Sequence, residues 1–226
     1  KFLRKISTLL VYLFLICNSI LVLGPVIWTI MASFKKGNNL FSSTFSGIEF
    51  TFDHYITLFT DTPYMQWYLN TFILATANML ISLFVVTMTA YVFSRYRFRG
   101  KRNTLMSILV LQMFPAFLSM TAIYILLSKA NLIDTYTGLL LVYVTGSLPF
   151  MTWLVKGYFD AIPTSLDEAA KIDGAGHLTI FIQIILPLAK PILVFVGLVS
   201  FTGPWMDFIL PTLVLRSEDK MTLAIG

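Results

Sequence analysis

The chain has 226 residues, of which 57% are hydrophobic and 12% are charged, against about 25% charged residues in soluble domains. This composition excludes a water-soluble domain and intrinsic disorder, and the single cysteine, Cys17, excludes a disulfide scaffold. The net charge of +5 comes from basic residues that lie between apolar runs, unlike the folded basic face of a nucleic-acid-binding protein. The sequence therefore indicates an integral membrane protein.

Five apolar segments are long enough to cross a bilayer, for which a helix needs roughly 20 residues. Four contain no charged residue, and the fifth is interrupted by Lys190, whose long side chain can reach the lipid headgroups. We predict an all-α fold, a single polytopic transmembrane helix bundle over residues 1–226. Because the chain ends inside a new apolar run, we expect a sixth span in the native chain. The five spans are predicted at about 7–34, 67–93, 104–128, 136–156 and 184–206.

The basic residues predict the two sides of the membrane. If the helices alternate from a cytoplasmic N-terminus, most of the 16 Lys and Arg residues fall on the inside, as is usual for cytoplasmic loops. We therefore expect Gly100 to face the cytoplasm of a bacterial cell, and Asn39 and Asn131 to lie outside its inner membrane. His54 and His177 then lie on opposite sides, so they cannot share a metal ion.

Shorter features lie between and within the spans. Residues 53–59 predict a short amphipathic helix at the outer interface. Residues 95–102 interleave basic and aromatic side chains, a pattern that can contact single-stranded nucleic acid, but a topology determinant that meets anionic membrane lipid is favoured. Pro115 and Pro149 lie inside apolar runs, where proline tends to kink a helix.

Small and polar residues inside the spans are interpreted as positions of helix packing. Asn78 and Gly197 are examples. Membrane helices associate through small residues that let backbones approach and through side-chain hydrogen bonds between helices. We therefore expect these two residues to contact neighbouring helices.

The cytoplasmic segment 157–183 contains a short helix with clear ends. Ser165, or alternatively Thr164, is placed to cap its N-terminus, and Glu168 lies three residues after Ser165 as in a capping box. Gly174 predicts a left-handed backbone conformation that stops the helix. A capped helix in a loop of this kind is suited to contact a partner.

Two small residues, Ala169 and Ala170, lie between these ends and let another surface approach the backbone closely. They belong to a longer pattern that matches EAA-x3-G-x9-I-x-L-P, the signature of binding-protein-dependent ABC importer permeases. The matching residues are Glu168, Ala169, Ala170, Gly174, Ile184, Leu186 and Pro187. Stretches 111–115, 153–159 and 213–216 with 222–224 also resemble the maltose/maltodextrin-type carbohydrate permease.

The resemblance implies a defined set of partners. A permease of this family pairs with a second, homologous permease subunit, two cytoplasmic ABC ATPase subunits and an external solute-binding protein. Its EAA loop is a coupling helix that docks in a cleft of the ATPase, where Glu168 meets a basic residue. The residues implied to contact the ATPase are Leu166, Asp167, Glu168, Ala169, Ala170, Ile172, Asp173 and Gly174.

The resemblance also implies transport of maltodextrin or a related oligosaccharide. Sugar sites usually combine aromatic faces with polar groups, and candidates in the outer half are Tyr124, Trp205 and Asp207. In related maltose systems the partner permease holds most of the sugar, so that assignment stays open between the two subunits.

The chain contains no P-loop and no H-E-x-x-H motif. We therefore expect no catalytic, cofactor or metal residues here, with ATP and magnesium bound by the partner ATPase. The alternative function is a self-sufficient secondary transporter or channel. An ion-coupled carrier usually buries ionisable residues at the membrane midplane, and the first four apolar runs contain none.

Overall fold

The computed structural model describes residues 2–36 and 50–226, including the side chains of all of these except residues 2–4 and Ala116. The prediction for Asn39 lies outside the described residues. Within those residues, three helices are long and apolar enough to cross a membrane. Two further pairs of helices are bent, and if each pair is counted as one span, the number of candidate spans is five. Residues 1–63 and 64–226 form two compact units.

In its described residues, the first unit contains a long helix, α1, at Phe2–Ser33 and a short one, α2, at Asp53–Thr60. The end of α1 is joined to α2 by a hydrogen bond of 2.7 Å between Ser33 Oγ and the Tyr55 hydroxyl. His54 Nε2 lies 2.8 Å from the Lys35 carbonyl oxygen. The predicted helix at 53–59 is confirmed by α2.

The second unit is a helical bundle. The long helix α3 ends at Arg95, where a basic side chain in the last turn interacts favourably with the helix dipole. Thr135 caps α6, since its hydroxyl accepts a hydrogen bond from the Gly138 amide at 3.1 Å. The α-helices are α3 Tyr64–Arg95, α4 Lys101–Gln112, α5 Ala116–Lys129, α6 Tyr136–Ala161, α7 Thr164–Ile172, α8 His177–Ile180, α9 Leu186–Leu188, α10 Lys190–Met206 and α11 Ile209–Val214. A π-helical stretch, Phe181–Ile185, joins α8 to α9, and a 3₁₀ turn spans Glu218–Lys220.

The core of the bundle forms where α3 packs against α6 and α10. Asn78 on α3 donates a hydrogen bond of 2.6 Å to the Ser200 carbonyl oxygen on α10. Gly197 on α10 lies at the contact with α3, where a Cβ built on it would be 3.5 Å from Leu83 Cδ1, an ordinary van der Waals distance. The packing roles predicted for Asn78 and Gly197 are confirmed.

Two of the spanning segments are bent. The chain turns by 103° at Pro115, between α4 and α5, so the break predicted there is confirmed. In contrast, α6 continues through Pro149. The segment predicted as a span at 184–206 is bent by 80° between residues 177–188 and 190–206. The helix after the bend, α10, begins at Lys190 and has Pro191 in its first turn, where the missing N–H of proline costs no hydrogen bond.

Candidate functional site

The helix α7 begins differently from the sequence prediction. Its N-cap is Pro163, with φ −57° and ψ 130°, and no side chain caps the helix. Thr164 therefore takes the first helical position, and Ser165 lies inside the helix. The capping box predicted with Ser165, or a cap by Thr164, is wrong because proline fixes the chain direction one residue earlier.

The end of α7 has the left-handed turn that the sequence predicts. Gly174 has φ +85°, a conformation that L side chains rarely adopt. Its amide donates to the Lys171 carbonyl oxygen at 3.0 Å, and the Ala175 amide donates to the Ala170 carbonyl oxygen at 2.8 Å. These two bonds form a Schellman motif, in which orphan carbonyls at the helix end are satisfied.

The residues of α7 divide into an exposed and an inward-facing set. Leu166 is 41% exposed and Ile172 is 87% exposed, although both are apolar. Asp167 is buried, and Ala170 packs against the helical core. Seven of the nine residues are exposed, and four of these lie on the side of the helix opposite Asp167: Leu166, Glu168, Ala169 and Ile172, which we call the outer face of α7. Asp173 and Gly174, which follow α7, are exposed as well.

Asp167 forms an ion pair with Arg95, the last residue of α3. Arg95 Nε lies 2.7 Å from Asp167 Oδ2, and the two side chains are 8% and 9% exposed. The same guanidinium donates hydrogen bonds of 3.0 Å to the carbonyl oxygens of Phe159 and Ile162, at the end of α6. Arg95 therefore joins α3, α6 and α7 at one point.

Two more residues of α3 contact the segments that flank α7. Ser94 Oγ donates a 2.7 Å hydrogen bond to Asp160 Oδ1, before α7, and Asp160 also pairs with Lys156. The Tyr91 hydroxyl donates to the His177 carbonyl oxygen at 3.3 Å, after α7. The sequence interpretation treated 95–102 as a topology determinant and missed this network.

Of the three predicted substrate residues, Tyr124 lies in a charged cluster at the opposite end of the bundle. Arg216 donates to the Tyr124 hydroxyl at 3.4 Å, and its guanidinium carbon lies 5.9 Å from the ring centroid. Asp134 binds the segment 216–220, because its carboxylate accepts hydrogen bonds from the Ser217 hydroxyl, the Arg216 amide and the Lys220 ammonium. These bonds keep the pKa of the Asp134 carboxyl well below its usual range.

Trp205 and Asp207 have other neighbours. The Trp205 ring lies 5.3 Å from the Tyr68 ring and 6.0 Å from the Phe201 ring, in an aromatic group at the end of α10. Asp207 Oδ1 accepts hydrogen bonds of 3.0 and 3.2 Å from the first two amides of α11. Asp207 thus caps a helix, a role that sequence reasoning did not assign.

The described part of the chain contains no candidate metal-binding site. No group of three or more His, Cys, Asp or Glu residues there could hold a metal ion. The candidate functional surface is the outer face of α7, whose opposite side is bound to Arg95 through Asp167.

Comparison with known proteins places the chain among membrane transport components. Residues 83–225 match the family described as binding-protein-dependent transport system inner membrane component. The chain is 42% identical to the maltodextrin transport system permease protein MdxG of Bacillus subtilis (strain 168), over 99% of this chain and 80% of that protein. It is 43% identical to the galactooligosaccharides transport system permease protein GanQ of the same strain, over 99% of this chain and 80% of that protein.

A solved structure has the same fold. It is the crystal structure of a bacterial ABC transporter involved in the import of the acidic polysaccharide alginate. The similarity has a TM-score of 0.87 and 26% sequence identity, and it covers 97% of this chain and 78% of that chain. The all-α permease fold predicted from the sequence is therefore confirmed.

Proposed function

Since the chain belongs to the family of binding-protein-dependent transport system inner membrane components, we propose that it carries maltodextrin or a related oligosaccharide through the membrane. It acts as one permease subunit of an ATP-driven importer. The observation that carries the proposal is 42% identity over nearly the whole chain to a maltodextrin permease. The similarity to a galactooligosaccharide permease supports an oligosaccharide as the substrate class.

The outer face of α7 is the docking surface for the ATPase that powers transport. Leu166 and Ile172 are apolar and exposed on a loop helix, and such side chains gain stability when a partner covers them. Glu168 stands beside Ala169, where a small side chain permits close approach of a partner carrying a basic residue. ATP and magnesium bind to the partner ATPase, which hydrolyses the nucleotide.

The remaining partners are a second permease subunit, a second ATPase subunit and an external solute-binding protein. The aromatic group around Trp205 is a suitable wall for a sugar path, since sugar rings pack on aromatic faces. Tyr124 remains a candidate at the same end of the bundle. Asp207 is the weakest of the three because its carboxylate already caps α11.

Substrate stimulation of ATP hydrolysis tests this proposal. The permease is purified with its partner subunits, reconstituted in nanodiscs and mixed with the solute-binding protein. We expect maltodextrin to raise the ATPase rate several-fold above the rate without sugar, with galactooligosaccharide as the comparison substrate. Uptake into ATP-free proteoliposomes driven by an ion gradient would contradict the proposal and support a secondary transporter instead.

The N-terminus and α7 lie on the cytoplasmic side. Contacts in the second unit support two separate ends of the bundle, because Gln66 and Asn70 at the start of α3 both donate to the Asp219 carbonyl oxygen, at 2.8 and 2.9 Å. The end of α3 contacts the segments around α7 instead. The excess of basic residues near α7 supports its cytoplasmic location.

Cysteine labelling tests this orientation. Gly100 and Asn131 both have positive φ, at +88° and +56°, so the neighbouring exposed residues Asn103 and Ala130 are better reporters. On a background in which Cys17 is replaced by serine, an impermeant maleimide should label Ala130→Cys in intact cells. It should label Asn103→Cys only after the membrane is permeabilised. The reverse pattern would overturn the orientation.

A further inference from the structure

We propose that Arg95 is a positioning residue that locks α7 to the ends of α3 and α6, so that the three move as one body during transport. The inference rests on the proposed docking of α7 to an ATPase. In this arrangement, a force applied to the outer face of α7 acts on the membrane-spanning part of α3 through the Arg95 contact, in addition to acting along the chain through α6.

The first support is the burial pattern of α7. Of its nine residues, all of which the structure describes, Asp167 is the one that is buried. A helix this short is marginally stable alone, and its place depends on tertiary contacts. Burial of a carboxylate destabilises a fold unless its charge is paired. The Arg95 guanidinium, 2.7 Å from Asp167, is therefore the polar contact that holds α7, beside the packing of Ala170 on the core.

The second support is the shape of the Arg95 site. Each nitrogen of the guanidinium has its own partner: Nη1 and Nη2 donate hydrogen bonds to the carbonyl oxygens of Phe159 and Ile162, and Nε lies in ion-pair contact with the Asp167 carboxylate. Those carbonyls close α6, where a positive charge also meets the negative end of the helix dipole. Arginine presents donors on three nitrogens in a rigid planar fork, and the contacts here use all three, whereas the donors of lysine share a single nitrogen.

The third support is the position of α3 in the bundle. Its last turn also contacts both flanks of α7, through Ser94 to Asp160 and through Tyr91 to His177. Further along α3, Asn78 is bonded to α10 at the Ser200 carbonyl oxygen. A displacement of α7 is therefore passed to α3 and, through the packed core, to α10.

A distance measurement across the Arg95 contact tests the proposal. Spin labels are placed at Val92→Cys on α3 and Lys171→Cys on α7, both exposed and outside the outer face of α7, with Cys17 replaced by serine. The assembled transporter is measured in nanodiscs, without nucleotide and with bound ATP. We expect one narrow distance distribution that is the same in both states.

Two substitutions of Asp167 separate an ionic role from a packing role. Asp167→Asn keeps the size and removes the charge, and it should widen the distribution at least about twofold and lower transport per ATP hydrolysed by roughly tenfold. Asp167→Glu keeps the charge and adds a methylene, and it should stay near the parent. Arg95→Lys should behave like Asp167→Asn. If Asn is tolerated and Glu is not, Asp167 acts through packing and the proposal is overturned.

Glu168→Gln is the matched control, since it removes the neighbouring, exposed carboxylate. It should leave the distance distribution narrow while weakening ATPase binding. A narrow distribution and full transport per ATP in Asp167→Asn would overturn the positioning role alone. If instead Ala169→Glu leaves the ATPase bound, the docking proposal fails, and the distance measurement still reports on Arg95.

Discussion

Ala169→Glu is expected to abolish sugar uptake and to release the ATPase during purification. Ala169 is exposed on the outer face of α7, so a glutamate there does not disturb the permease itself. In a docked complex the carboxylate would be buried without a partner, at a cost of about 1–3 kcal/mol or more. That cost weakens binding by tenfold or beyond. Uptake assays and co-purification of the ATPase measure the effect.

Ala161→Glu is the control for this substitution. Ala161 is also an exposed alanine, at the end of α6 and outside α7, so the same added charge should leave uptake and ATPase binding nearly unchanged. Ala170→Glu is a less specific test, because Ala170 packs against the core of the permease and its replacement also disturbs the fold. Full uptake with normally bound ATPase in Ala169→Glu would contradict the docking role of α7.

Gly174→Val is expected to reduce uptake by at least about tenfold. A β-branched residue at φ +85° is strained, and the left-handed region costs an ordinary residue roughly 1–2 kcal/mol. No atom lies within 4 Å of a Cβ built at Gly174, so the effect comes from the backbone and not from a clash. Loss of the Schellman motif moves the chain that follows, including His177, which Tyr91 contacts.

The neighbouring glycine supplies a matched comparison. Gly176 has φ −75° and ψ 164°, an extended conformation that valine adopts readily, and nothing lies within 4 Å of a Cβ built there. Gly176→Val should therefore keep most of the uptake. Gly174→Asn should also keep more activity than Gly174→Val, because asparagine tolerates the left-handed region. Equal losses in both valine variants would refute the backbone explanation.

The sequence predicts those features that depend on composition or local backbone preference. Long uncharged apolar runs lie within α3 and α6, because the part of a spanning helix inside the hydrocarbon core excludes charge, while charged residues such as Arg95 and Lys156 lie near the helix ends. Gly174 predicted a left-handed turn because other residues pay a steric cost there. The EAA pattern identified the family because several residues at fixed spacing coincide by chance less often than one residue does.

The features that the sequence did not predict depend on neighbours. Serine is a common N-cap residue, and proline is also common at the start of a helix, so local preferences allow α7 to begin after either Ser165 or Pro163. In the structure Pro163 is the N-cap. The bend before Lys190 was not predicted, because the sequence interpretation treated the apolar residues on both sides of Lys190 as one span. The pairing of Arg95 with Asp167 joins segments far apart in the chain, and no local pattern distinguishes Arg95 from the other basic residues of its loop.

The central claim, that the outer face of α7 docks on an ATPase, is tested most directly by photocrosslinking. A photoreactive amino acid is placed at Ile172, which is 87% exposed, in cells that produce the whole transporter. The crosslinked product is identified by mass spectrometry, with Ala130 at the other end of the bundle as the control position. We predict a crosslink from position 172 to the ATPase subunit and none from position 130. Crosslinks from position 172 that never include the ATPase, in an active transporter, would contradict the account.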